Sequence, residues 1–160
     1  MKSTLKIMLL LSVPFCIHGC GGDTKAASIT EPSDIKYTVI HGNSYLDGGM
    51  HLTSKGSRVF SSQDAYQNEL LNYSSDQPVQ VDFTKSKVLL LDMGQKATGG
   101  YGIEIEKIAD SNDAAIVSVA LVEPGSGCLV TQSLTNPYEF IEISTNKEIL
   151  IEEKLVLKSC

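Results

Sequence analysis

Residues 94–105, GQKATGGYGIEI, decide how the middle of the chain folds. Their glycine spacing approximates the phosphate-binding P-loop, G-x-x-x-x-G-K-S/T, but Gly100 and Tyr101 occupy the positions of the Lys and of the Ser or Thr. A P-loop also leads into a helix, whose N-terminal amides hold the phosphate groups. Here Ile103 and Ile105 alternate with other residues, which indicates a strand. The sequence therefore predicts a hairpin turn in which glycines supply positive φ angles or a bulge, and it argues against a phosphate site.

Strand candidates surround this turn as apolar or alternating runs bounded by turn residues. They are residues 37–40, 87–93, 114–122, 129–132, 138–144 and a stretch within 149–157, whereas the glycine-rich residues 42–56 are predicted to form a loop. Residues 114–122 (AAIVSVALV) are apolar almost throughout. This composition predicts a central strand that is covered on both sides.

One helix is predicted ahead of the later strands. Tyr66, Leu70 and Tyr73 recur at helical spacing, and Ser61 with an acidic residue three positions later approximates a capping box. The helix is expected to end before Pro78. Many strands with a single amphipathic helix on the N-terminal side indicate an α+β domain with a mostly antiparallel β-sheet.

The first residues have the composition of a secretory signal peptide. Lys2 and Lys6 give a positive start, and a largely apolar stretch follows over residues 7–17. This stretch is too short to span a bilayer, which takes about 20 apolar residues. A buried N-terminal helix is the alternative interpretation.

Residues 17–20 (Ile-His-Gly-Cys) resemble the lipobox of bacterial lipoproteins. The resemblance implies cleavage after Gly19 and acylation of Cys20, with palmitate among the acyl chains. Several acyl chains would anchor the protein firmly to a lipid bilayer, since each buried CH₂ contributes about 0.8 kcal/mol. Asp23 lies two positions too late for the signal that retains lipoproteins in the inner membrane. The expected location is therefore the cell envelope, at the outer membrane.

The predicted organisation has three parts. Residues 1–19 form the signal peptide, residues 20–33 are small and polar and read as a flexible tether, and residues 34–160 form one α+β domain. The net charge of the whole chain is −6, and loss of the signal peptide with its two lysines would make it more negative. This acidity argues against nucleic acid as a partner.

Two cysteines, Cys128 and Cys160, remain when the signal segment and the acylated Cys20 are set aside. In an oxidising compartment they are expected to form a disulfide, which would stabilise the fold by roughly 3–4 kcal/mol. The alternative is a nucleophilic thiol, which needs a histidine partner. The histidines outside the signal segment, His41 and His51, lie in no recognisable motif.

No pattern for a metal or a cofactor is evident. Zinc sites take three or four ligands, and His41 and His51 lack such a set. Residues 110–113 begin like a calcium loop but lack its glycine and closing glutamate, so that they predict a turn. Glu104 and Glu106 share one strand face and read as a solvated surface. There is also no G-x-S-x-G elbow. We predict no catalytic residue, no metal, no cofactor and no enzyme activity.

Several short segments occur in a recognisable order. They are residues 81–83 (VDF), 88–91 (VLLL), 98–105 (TGGYGIEI), 124–125 (PG) and 136–138 (NPY). Together, over about residues 57–144, they resemble the C-terminal domain family of PrcB, a lipoprotein subunit of a spirochaete surface protease complex. The resemblance implies a small extracytoplasmic, non-catalytic domain that supports a partner protease. It adds one candidate partner-binding loop, formed by Thr98, Gly99, Gly100 and Tyr101.

Three functional hypotheses follow. The first is a membrane-anchored extracytoplasmic lipoprotein that acts as a non-catalytic protein-binding or protease-complex accessory subunit. The second is a protease inhibitor that presents Thr98–Tyr101, since chagasin-type inhibitors present a similar Thr-Gly-Tyr loop on a β-scaffold. The third is a small-molecule binder or an unrecognised enzyme, which would require a deep pocket with converging polar groups.

Overall fold

Seven strands and one helix form the part of the chain that the structure, a computed structural model, describes: residues 34–46 and 54–160. In chain order they are β1 Tyr37–Asn43, β2 Gly56–Phe60, α1 Gln63–Leu70, β3 Lys87–Asp92, β4 Gly102–Asp110, β5 Ala114–Pro124, β6 Tyr138–Ile143 and β7 Glu148–Lys158. Within these residues, no helix has the length and apolar character needed to cross a membrane. The predicted signal peptide, the lipobox with Cys20, the tether and His51 lie outside the described residues.

The strands form two sheets. A four-stranded sheet has the order β1-β6-β3-β2, and a three-stranded sheet has the order β4-β5-β7. Every pairing between these strands is antiparallel except that of β5 with β7, which is parallel. The prediction of an α+β domain with a mostly antiparallel sheet is confirmed in its β-rich character, but the strands divide between two sheets and only one short helix is present among the described residues. As predicted, β5 is the central strand of its sheet.

Two apolar cores lie on opposite faces of the four-stranded sheet. Leu89 and Leu91 of β3 belong to the core between the two sheets. Val88 and Leu90 point the other way and pack with Tyr66 of α1. Because both faces of β3 are covered, its sequence is a continuous apolar run rather than an alternation.

The helix is shorter than the sequence pattern suggests. Its N-cap is Ser62, whose side chain accepts a hydrogen bond of 3.4 Å from the amide of Ala65. The prediction of a capping box at Ser61 is therefore wrong by one residue. The helix ends at Leu70, and Tyr73 is buried in the turn that follows.

Three further predictions are wrong. Residues 94–101 do not form a hairpin turn, because β3 and β4 belong to different sheets and the chain crosses between them. Residues 129–132 form no strand, and Leu129 is fully exposed, so its apolar character does not indicate burial. Residues 42–56 are not all loop, because β1 continues to Asn43 and β2 begins at Gly56. The turn predicted at residues 110–113 is present between β4 and β5.

Candidate functional site

The buried carboxylate of Asp92 fixes the point where the chain leaves β3. Its Oδ1 accepts hydrogen bonds from the amide of Gly94 at 2.7 Å and from Nδ2 of Asn136 at 2.9 Å. Its Oδ2 accepts a bond of 2.7 Å from the hydroxyl of Tyr73. Burial and the contact with Asp92 raise the pKa of Tyr73 well above its ordinary value, so that this hydroxyl remains a donor. Asp92 therefore joins the loop, the start of β6 and the turn after α1.

The glycine loop, residues 94–101, is held along its length by the segment that leads into β6. Lys96 and Thr135 exchange two backbone hydrogen bonds of 2.8 and 3.0 Å. The amide of Gly99 donates to the carbonyl of Thr131 at 2.9 Å, and the hydroxyl of Thr135 donates to the carbonyl of Thr98 at 2.7 Å. These bonds make the loop an ordered part of the scaffold.

Glycine is required in this loop for two reasons. Gly94 and Gly100 have φ angles of 68° and 89°, a region that side chains with a Cβ rarely adopt. A Cβ at Gly100 would lie 2.8 Å from Cγ1 of Val130, and one at Gly99 would lie 2.4 Å from Oγ1 of Thr131. The expectation of positive φ angles holds for Gly94 and Gly100 but not for Gly99, which is constrained by space instead.

The four candidate partner-binding residues are not equally accessible. Gly99 is buried, Thr98 is half-buried and Gly100 is exposed. Tyr101 is half-buried and packs against the core between the sheets, and Nζ of Lys96 lies 5.2 Å from the centre of its ring. The loop therefore offers a backbone surface around Gly100 rather than a projecting tyrosine. As the alternation at Ile103 and Ile105 predicts, a strand and not a helix follows the loop.

A cleft of about 330 Å³ opens directly after the glycine loop. It is lined by residues 42–44 at the end of β1, residues 102–103 at the start of β4, and residues 137–139 at the start of β6. At the other end of β4, the amide of Ile35 donates a hydrogen bond of 2.8 Å to the carbonyl of Ile108. The chain before β1 thus bonds to β4 at one end, while the cleft separates β1 from β4 at the other.

Glu139 is the acidic residue of the cleft. It lies opposite Gly42 in the β1–β6 register, and a Cβ on Gly42 would approach Cγ of Glu139 to 3.2 Å. Burial raises the pKa of Glu139 from its ordinary 4.5 to about 7. Among the described residues, none forms an ion pair with this carboxyl group or donates a hydrogen bond to it. The cleft therefore contains a carboxyl group that a cation or a hydrogen-bond donor of a ligand could satisfy.

His41 lies in the core next to α1. Its Nδ1 is 3.7 Å from a carboxylate oxygen of Asp76, and its ring meets Phe140 edge-on. Burial lowers the pKa of His41, against the opposing effect of Asp76. Its buried Nε2 has no hydrogen-bond partner among the residues that the structure describes. Residues 34–46 and 54–160 contain no group of three or more His, Cys, Asp or Glu side chains that could hold a metal ion.

The predicted disulfide is present between Cys128 and Cys160, whose Cα atoms are 5.2 Å apart. Beside it, the amide of Gly125 donates a hydrogen bond of 3.0 Å to the carbonyl of Lys158. The end of β7 is therefore fixed to the turn after β5. Because both sulfur atoms are bonded, the alternative of a nucleophilic thiol does not apply to this form of the protein.

The glycine loop, the strands on both sides of it and the Pro124–Gly125 turn together invite comparison with known families. Residues 87–144 match the PrcB C-terminal family model. The resemblance inferred from the sequence is confirmed over this segment, which is a little over a third of the chain. Comparisons with curated proteins and with solved structures returned no significant match.

The PrcB C-terminal match contains most of the candidate site. It spans β3 to β6, with the glycine loop and two of the three walls of the cleft. The third wall, residues 42–44, lies outside the match, as do β2, α1 and β7. Sequence reasoning found the loop through its glycines but missed Asp92 and Glu139, since each occupies an ordinary strand position. The sequence signal that could have located these two residues is the segment of residues 136–138 (NPY). It directly precedes Glu139, and its Asn136 donates a hydrogen bond to Asp92.

Proposed function

We propose that this protein is a non-catalytic accessory subunit that binds a protease or another protein of the cell envelope. The observation that carries the proposal is the match of residues 87–144 to the PrcB C-terminal family. The matched segment includes the glycine loop and the two cleft walls that adjoin it. The proposed contact surface is therefore the cleft together with Gly100.

The cleft suits an extended segment of a partner protein. At residues 102–103 the edge of β4 faces the cleft, and an extended peptide can bind such an edge through main-chain hydrogen bonds. Among the described residues, no atom lies within 4 Å of a Cβ built on Gly102, so this part of the wall leaves room for an approaching backbone. Glu139 would then receive a basic side chain or another donor of the partner. Binding of a cation would lower the pKa of Glu139 and release a proton near neutral pH.

The arrangement of the glycine loop favours this role over protease inhibition. An inhibitory loop must project into the cleft of its target, whereas Tyr101 packs against the core and Gly99 is buried beneath Thr131. The loop instead places Gly102 and the start of β4 at the margin of the cleft. We assign it a positioning role at the proposed binding surface.

Lipid anchoring at Cys20 completes the proposal. It is supported by the lipobox-like residues 17–20 and by the apolar segment that precedes them. The acylated cysteine would hold the domain at the outer membrane through the tether of residues 20–33. Labelling of cells with an alkyne fatty acid should modify the wild-type chain and not the Cys20→Ala variant. Equal labelling of the two would contradict this part of the proposal.

Site-specific photo-crosslinking tests the binding surface. A photoreactive amino acid at Gly102 of the full chain should capture an envelope protein, with a protease subunit as the expected product. The matched control is Gly56, another strand glycine, where the nearest atom to an added Cβ is 3.9 Å away. Glu139→Gln should reduce the yield at Gly102. The proposal fails if Gly102 captures nothing, or captures the same proteins as Gly56.

A further inference from the structure

Strand β7 has one partner on one side and no described partner on the other. It runs for 11 residues beside β5, and it is the last strand of the three-stranded sheet. An edge of this length presents a row of unpaired amides and carbonyls, which can pair with another chain. β7 also lies outside the PrcB C-terminal match, so the family gives no role for it.

The outward-facing groups of β7 can be assigned from one hydrogen bond. The carbonyl of Lys158 accepts from the amide of Gly125, so Lys158 directs its backbone groups toward β5. Backbone direction alternates along a strand, and the even-numbered residues of β7 therefore share this orientation. The odd-numbered residues direct their amides and carbonyls outward; they are Ile149, Ile151, Glu153, Leu155 and Leu157.

The side chains of these odd-numbered residues share one face. Ile149 and Ile151 pack against the core between the sheets. Leu155 and Leu157 continue along the same face but are 61% and 66% exposed, and neither belongs to the core formed by the described residues. The free edge therefore carries two leucines that are oriented like core residues but lack cover from the described residues.

We propose that β7 pairs antiparallel with β7 of a second copy of this chain, with Glu153 at the two-fold axis. In this register Ile151 lies opposite Leu155 of the partner's β7, and Ile149 lies opposite Leu157. These odd-numbered residues are the ones whose backbone groups point outward, so each facing pair can exchange two hydrogen bonds. The exposed leucines of each copy would cover the isoleucines of the other, at the edge of its core.

The charges on the opposite face select the same register. Glu148 lies opposite Lys158 of the second copy, and Glu152 lies opposite Lys154. The two-fold axis repeats each pair, and Leu150 meets Val156 between them. Facing pairs of opposite charge stabilise an antiparallel pairing, whereas like charges destabilise it. On this face, the proposed register therefore places each acidic side chain opposite a basic one and Leu150 opposite Val156.

Two features of the single chain bear on this pairing. At the two-fold axis, Glu153 faces Glu153 of the second copy. Each Glu153 forms an ion pair with Lys55 of its own chain, and this pair offsets the repulsion between the two like charges. Lys154 pairs with Glu106 at 2.7 Å and would be shared with Glu152 of the second copy. The result is one continuous six-stranded sheet. Because a single pair of strands forms the contact, we expect a weak dimer with a dissociation constant on the order of micromolar.

Charge exchange between the strand ends tests the register. Sedimentation velocity on the purified full chain in non-ionic detergent should show a reversible monomer–dimer equilibrium. Glu148→Lys or Lys158→Glu alone should raise the dissociation constant about tenfold, because each change places like charges at both symmetric positions. The double variant should return to about the wild-type value. A mixture of the two single variants should form a heterodimer tighter than either homodimer, since both facing pairs are then opposite in charge.

Two controls separate pairing from folding. Asp113→Lys makes the same charge change at an exposed turn between β4 and β5 and should leave association unchanged. Leu157→Gln should weaken the dimer while leaving the thermal unfolding of the monomer unchanged, because the side chain is already exposed. A wild-type chain that stays monomeric at about 100 µM overturns the proposal. So does a dimer that the charge variants leave unaffected, or that the double variant and the mixture fail to restore.

Discussion

The hydroxyl of Tyr73 donates a hydrogen bond of 2.7 Å to the carboxylate of Asp92, although 19 residues separate the two along the chain. This contact joins the turn after α1 to the end of β3. It also sets the position of the glycine loop, because Asp92 accepts from the amide of Gly94 as well. The candidate site is thus connected to the core that α1 covers.

Removal of the Asp92 carboxylate should lower the free energy of unfolding more than removal of the Tyr73 hydroxyl. We expect a loss of about 1–2 kcal/mol for Tyr73→Phe and about 3 kcal/mol for Asp92→Ala, which leaves three donors without their acceptor. Urea unfolding of the full chain measures both. Tyr37→Phe is the control, because its hydroxyl makes one weak contact of 3.5 Å. An Asp92→Ala variant as stable as the control would refute the assigned role of Asp92.

Substitution of Gly100 by alanine should destabilise the protein, whereas substitution of Gly102 should not. The positive φ angle of Gly100 costs about 1–2 kcal/mol for a residue with a Cβ, and contact with Val130 adds to this. No atom of the described residues lies within 4 Å of a Cβ built on Gly102, so we expect a change within about 0.5 kcal/mol. Thermal unfolding compares the two. Equal effects would show that the loop does not need its left-handed conformation.

The cleft should make stability depend on pH through Glu139. Because its pKa is raised from 4.5 to about 7, the folded state favours the neutral form, and this favourable contribution declines as pH rises through about 7. Relative to the wild type, Glu139→Gln should therefore gain stability between about pH 5 and pH 8. We expect a gain of order 1 kcal/mol, since partial solvation reduces the effect.

Denaturant titrations at both pH values test this prediction. Titration of His41 has the opposite sign, since its lowered pKa removes stability as pH falls below 6.5. That contribution is common to both proteins and cancels in their difference. A difference between Glu139→Gln and the wild type that stays constant with pH would contradict the raised pKa.

Reduction of the disulfide should destabilise the chain by roughly 3–4 kcal/mol. The bond spans 32 positions, and the unfolded chain gains conformational freedom without it. A Cys128→Ser and Cys160→Ser double variant should show this loss in urea unfolding, and addition of a reductant to the double variant should have no further effect. If reductant leaves the wild-type transition unchanged, the bond contributes nothing to stability.

The sequence predicted the strands whose burial dictates their composition. The apolar run of β3 was found because both faces of this strand are buried. That of β5 was found because this strand lies between two others in its sheet. β2 was missed, since four of its five residues are exposed and leave no apolar pattern. The hairpin prediction at residues 94–101 was wrong because a turn and a crossover between sheets use the same glycines. Only strand pairing distinguishes the two.

The candidate site was less predictable than the fold. Thr98–Tyr101 was located from its sequence, but whether Tyr101 projects or packs depends on contacts with β-strands far along the chain. Asp92 and Asn136 are 44 residues apart, and nothing local to either predicts their contact. Glu139 acquires its raised pKa from burial beside Gly42, a residue in another strand. Such sites depend on packing between segments that are distant along the chain, and the hydrophobic periodicity of the sequence does not predict this packing.

The bond between Cys160 and Cys128 has a consequence for proteolysis. β7 is largely exposed, and a strand of this kind frays readily unless it is tethered. Here Cys160, two positions beyond β7, is covalently attached to the turn after β5, which restricts fraying of β7 from this side. While the disulfide is intact, a protease that cleaves unfolded segments would therefore find this part of β7 held in its sheet.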